Sequence, residues 1–92
     1  MKHMLTYSVR PGCRPEAIKR FLTTQGAPPP GVTLLGRWHK SDNSGGYALY
    51  ESDNPVALFE GSAMWSDVLE THSNVVIEDA DAAAVFIKIH GK

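Results

Sequence analysis

Residues Gly31 to Glu51, GVTLLGRWHKSDNSGGYALYE, constrain the fold more than any other stretch of this chain. They read as two β-strands, Val32 to His39 and Gly46 to Ser52, joined by a polar, glycine-containing turn over residues 40–45. Side chains alternate between the faces of a strand. That sends Val32, Leu34 and Trp38 one way and Leu35, Arg37 and His39 the other. In the second strand Tyr47 and Leu49 oppose Ala48 and Tyr50. Large apolar or aromatic groups on both faces would leave an exposed patch if either face met water. Both faces of the sheet are therefore expected to be covered.

Other elements fall into place around this pair. Lys2 to Val9 is rich in strand formers and stops at the turn signal Pro11-Gly12. Pro15 suits a first helical position, and Ile18, Phe21, Leu22 and Gln25 follow at helical spacing until Gly26. The run Pro28-Pro29-Pro30 carries the chain rigidly onward. Asn54-Pro55 opens a second helix as cap and first residue, with Leu58, Ser62, Trp65, Val68 and Leu69 on its sheet-facing stripe. His72 to Glu78 reads as strand four. Acidic Glu78, Asp79 and Asp81 precede an alanine-rich segment, and negative charge at a helix start suits its dipole, so a short C-terminal helix is expected.

The order is β-α-β-β-α-β plus a helix, the split βαβ pattern of an α+β, ferredoxin-like sandwich with a four-stranded antiparallel sheet. Such a sheet carries helices on one face only. With 92 residues there is room for one domain, spanning 1–92, which buries only about 60% of its unfolded surface. A homodimer packed sheet to sheet is the expected solution.

Composition removes several classes of function. A net charge of -1 gives no electrostatic footprint for nucleic acid or an anionic membrane. Gly46, Tyr47 and Ala48 match part of the strand motif of RNA-recognition domains, but the basic residue that opens it is missing. No long apolar run marks a signal peptide or membrane span, and the single cysteine, Cys13, fits a cytoplasmic protein without disulfides. The histidines at 3, 39, 72 and 90 lack metal-ligand spacing, and Gly45-Gly46 lies in a hairpin rather than before a helix, so neither metal nor cofactor is expected.

Chemistry gathers at the end of the second strand. Arg37 and His39 share a face, and a turn over 40–45 sets the small residues Ala48 and Gly46 opposite them, leaving space above the sheet. His39 is the candidate acid or base, because an imidazole titrates near neutral pH. Arg37 is the candidate anion ligand, with Trp38, Tyr50 and Trp65 as walls. Tyr7 offers a further hydroxyl.

The turn PGC, the segment GAPPPGVTLLGRWH, the strand GGYALYES and the helix end WSDVLE resemble an uncharacterised family of short, mainly bacterial domains of the dimeric α/β-barrel type. The resemblance covers nearly the whole chain. It implies a ferredoxin-like protomer whose sheet joins a partner's in a shared barrel, and it adds Asp67 of the WSD motif to the candidate ligand-binding residues. Three functions stay open: a small-molecule-binding domain for a partly apolar or aromatic compound, a cofactor-independent monooxygenase or isomerase-like enzyme on the same pocket, and a purely structural dimerisation module.

Overall fold

The computed structural model describes residues 1–91. Its elements run β1 (Lys2–Val9), α1 (Arg14–Thr24), β2 (Thr33–His39), β3 (Gly45–Glu51), α2 (Pro55–Trp65), β4 (Leu69–Val76) and α3 (Asp79–His90). The strands form one antiparallel sheet in the order β2-β3-β1-β4. This is the ferredoxin-like α+β arrangement that the element order implies.

Register across three strands decides what the sheet can do. His39 pairs with Gly46 and Gly46 with Tyr7, while Arg37 pairs with Ala48 and Ala48 with Leu5. The two long polar side chains of β2 therefore do stand across from the two small residues of β3. Strict alternation fails at one point, because a bulge between Leu34 and Gly36 takes up an extra residue. Leu34 pairs with Tyr50 and so shares the face of Arg37 and His39, not that of Trp38.

The second helix is shorter than its apolar spacing suggests. It stops at Trp65, and Val68 and Leu69 lie beyond it. β4 starts at Leu69 rather than at His72, and ends at Val76 rather than Glu78. Strand pairing overrides the helical pattern here: β1 offers residues up to Val9, which pairs with Leu69, and the Arg10 amide donates to the Val68 carbonyl at 2.9 Å. The freed carbonyls of the helix end are met by cations from elsewhere. Arg10 Nε donates to the Ser66 carbonyl at 2.9 Å and Arg20 to that of Met64 at 3.0 Å.

Helix starts follow the local code. Pro55 opens α2, and the Asn54 side chain accepts from the amides of Val56 and Ala57, both at 3.1 Å. α1 faces the sheet through Ala17 and Phe21, whereas Leu22 of the expected stripe is exposed. α1 ends with Gln25 in the left-handed region, followed by Gly26, also at positive φ.

Two features of packing stand out. The buried apolar residues are small, namely Ala17, Ala48, Ala57 and Val68, so the layer between sheet and helices is not filled by large side chains. In addition, α3 buries none of its residues, leaving Phe86 at 63% and Ile87 at 69% exposure. Its acidic first turn (Asp79, Asp81) and basic last turn (Lys88, His90) suit its dipole. Lys2 pairs with Glu78 and ties β1 to the start of this helix. The molecule is accordingly elongated, measuring 55 × 30 × 17 Å.

Candidate functional site

The unfilled layer is a cleft of about 530 Å³ bounded by the sheet, α1 and α2. Its floor comes from the helix-facing side of all four strands: Leu5, Tyr7 and Val9 of β1, Arg37 and His39 of β2, Ala48 and Tyr50 of β3, Leu69 and Thr71 of β4. Its walls include Ala17, Ile18 and Phe21 of α1 and Leu58, Ser62 and Trp65 of α2. Small residues open the space and larger apolar ones line it, the composition of a ligand pocket.

Polarity is concentrated at one end of the floor. The Tyr7 hydroxyl lies 2.9 Å from His39 Nδ1. Gly46, between them in the register, makes this approach possible: a Cβ there would stand 2.5 Å from the Tyr7 hydroxyl and collide with the Trp38 carbonyl. The Phe21 ring meets His39 edge-on, with centroids 5.3 Å apart. Burial raises the pKa of the Tyr7 phenol, while the nearby charge of Arg37 pulls it down. Tyr7 is thus held as a neutral phenol beside an imidazole.

Arg37 has a second task. Its terminal nitrogens donate to the carbonyls of Gln25 at 3.2 Å and Gly26 at 2.6 Å, at the end of α1. Its guanidinium also lies 5.6 Å from the Phe21 ring centroid. Gly26 is required there, since it has positive φ and a Cβ on it would meet the guanidinium at 2.7 Å. Arg37 lines the cleft and also pins the helix that roofs it.

Of the residues singled out from sequence, Arg37, His39, Tyr50 and Trp65 line this cleft. Trp38 does not. It pairs with Tyr47 on the opposite, helix-free face and is 56% exposed. Asp67 also lies outside, where Arg20 grips it with two hydrogen bonds of 2.8 Å. That guanidinium lowers the Asp67 pKa to about 2 and in turn stacks 5.4 Å above the Trp65 ring. Asp67 therefore reaches the cleft only through the arginine that covers Trp65.

No carboxylate is placed by spacing to orient His39, and the group beside it in the structure is the Tyr7 hydroxyl. The signal was present in the register: Tyr7, Gly46 and His39 fall on one line across β1, β3 and β2. The other histidines lie elsewhere. His3 is buried, with Nε2 3.1 Å from the Ser52 carbonyl, and His72 is exposed beside Glu70 at 3.3 Å. No helix among the described residues is long and apolar enough to cross a membrane.

Residues 1–89 match the family described as Domain of unknown function (DUF3303), and the chain belongs to that family. No curated protein matches the chain. No solved structure matches it either.

Proposed function

As a member of a family whose description assigns no reaction, the chain takes its function from its own geometry, and we propose that it is a homodimeric small-molecule-binding domain. One observation carries this reading. Where a domain of this size needs a packed core, the chain has an apolar cleft of about 530 Å³ with a hydrogen-bonded Tyr7–His39 pair on its floor. A partly apolar or aromatic molecule would lie over Ala48, between Phe21, Tyr50 and Trp65. Arg37 and His39 would give it polarity. Octanoate and its neutral isostere octanamide are transparent probes for this cleft. At least one should change the emission of Trp65 saturably in a Trp38→Phe variant, and no response to either would contradict the reading.

The partner in this proposal is a second copy. Trp38 and Tyr47 on the helix-free face, bulged Leu35, and Val85, Phe86, Ile87 and Ile89 of α3 are all exposed in a single chain. Together they leave more large apolar side chains in water than a soluble monomer usually shows, which is the mark of a partner surface. A 12-residue helix with no buried side chain is marginal by itself, so α3 in particular needs a contact. Pairing of the sheets in a shared barrel, in a cytoplasmic protein of one domain, completes the proposal. Light scattering at micromolar concentration should give twice the 10.1 kDa chain mass, and a monomer would refute it.

A second reading rests on the Tyr7–His39 hydrogen bond itself, which suits proton transfer by a cofactor-independent monooxygenase or isomerase-like enzyme. Under that reading His39→Asn abolishes turnover but leaves binding of the substrate intact. If the cleft bound nothing, the structural dimerisation module would remain.

A further inference from the structure

The titratable groups on the cleft floor are an arginine, a histidine and two tyrosines. The lining holds Arg37, His39, Tyr7 and Tyr50, and no aspartate or glutamate among the described residues. The rest is mainly apolar. An apolar cleft with Tyr7, His39 and Arg37 gathered at one end, where His39 meets solvent, and with no acid in its lining suits one ionised oxygen on an otherwise apolar body. This goes beyond a generic pocket and rests on the small-molecule reading above.

The Tyr7–His39 bond shows how such an oxygen would be received. One proton lies on the line between the phenol oxygen and Nδ1, which stand 2.9 Å apart. While the imidazole is neutral and Nδ1 accepts, the Tyr7 proton points at His39 and is withheld from the cleft. Once Nδ1 gains a proton, the bond reverses. The imidazolium donates to the phenol oxygen, and the Tyr7 O–H is free to turn toward a ligand. We propose that the cleft binds an apolar monoanion, such as a carboxylate with a hydrocarbon body, and that binding draws one solvent proton onto His39.

The balance is simple. An anion and a solvent proton enter; the anion accepts the Tyr7 O–H, and His39 Nδ1 forms a new N–H that donates to Tyr7. No covalent bond to the ligand is made or broken.

The surroundings give this coupling its sign. Tyr7 from β1 and Phe21 from α1 touch His39; the other titratable groups of the cleft lining are Arg37 from the same strand and Tyr50, farther along β3, and the α1 and α2 residues of the lining do not titrate. An anion bound beside His39 and Arg37 stabilises the imidazolium by direct attraction. The same anion in a cleft without His39 would bind with no proton taken up.

Calorimetry with octanoate and octanamide tests this, using buffers of different ionisation enthalpy near pH 7.5. Octanoate should bind at least tenfold tighter than octanamide and take up close to one proton. Its affinity should fall by roughly tenfold per pH unit as the solution becomes more alkaline, as one linked proton requires. Tyr7→Phe should erase the preference for the anion, and His39→Asn should erase the proton uptake and the pH slope. The slope is read on the wild-type chain, so it stands even if a variant folds poorly. Equal affinity for the two probes, or anion binding without proton uptake, would overturn the inference while leaving the pocket reading intact. Binding of neither probe would overturn both.

Discussion

The two faces of the sheet are built from the same four strands yet have opposite deficits. On the helix side the buried residues are small: Ala48 of the floor and Ala17 and Ala57 of the helices line a cleft that no large side chain fills. On the other side the residues are too large for water, with Trp38 at 56% and Tyr47 at 42% exposure. One face lacks contents and the other lacks a cover. A one-residue alternation separates the two, because Tyr47 and Ala48 are neighbours in β3. Under the proposed function one face would take a ligand and the other a partner, each compensating for the core that 92 residues do not supply.

The comparison breaks most visibly at Trp38. Trp38→Asp puts a charge where the proposed interface buries an aromatic anchor. It should weaken the dimer by about 100-fold, near 3 kcal/mol, in sedimentation equilibrium, with octanoate affinity per chain unchanged. Loss of binding along with the dimer would show that the two faces are not independent. Ala48→Leu is the converse. It fills the cleft floor at a cost of about 1–3 kcal/mol in stability, and should reduce octanoate binding at least tenfold while the dimer persists.

Two pH profiles sharpen the helix side. Burial raises the Tyr7 pKa in the fold, so the neutral phenol is the form the native state prefers. Stability from this source is present below about pH 10, the unfolded value, and declines as pH rises beyond it. Tyr7→Phe should remove that alkaline decline in thermal melts. The smallest effect is expected at Asp67, whose pKa Arg20 lowers to about 2. Its contribution is complete above about pH 3.9 and disappears as pH falls through 2. Asp67→Asn should flatten the acid limb between those values and leave the melting temperature at pH 7 only slightly lower, since the pair is exposed.

Much of the fold was legible because local signals agreed with it. Asn54-Pro55 capped and opened α2, Gly26 closed α1, and a turn of six residues set Arg37 and His39 opposite Ala48 and Gly46. The misreadings share a cause in long-range pairing. Val68 and Leu69 continue the helical spacing, but the end of β1 claims Leu69 for β4 and the Arg10 amide holds the Val68 carbonyl in the turn before it. Leu34 changes face because a bulge, invisible to alternation, adds a residue before Gly36. The site shows the same division. His39 was legible as a strand-end imidazole, whereas Tyr7 became its partner through a third strand 32 positions away. Arg20 gave no signal at all, because its grip on Asp67 spans 47 positions and joins two helices' surroundings.

The two tryptophans stand on opposite faces, and each reports on one of them. Single-tryptophan fluorescence, with Trp65→Phe leaving Trp38 and Trp38→Phe leaving Trp65, is therefore the most direct test. Dilution through the dimer dissociation range should shift Trp38 emission to the red and leave Trp65 unmoved, whereas octanoate should shift Trp65 and leave Trp38 unmoved. Both tryptophans responding to both treatments, or Trp38 responding to octanoate alone, would contradict the division of the sheet into a ligand face and a partner face.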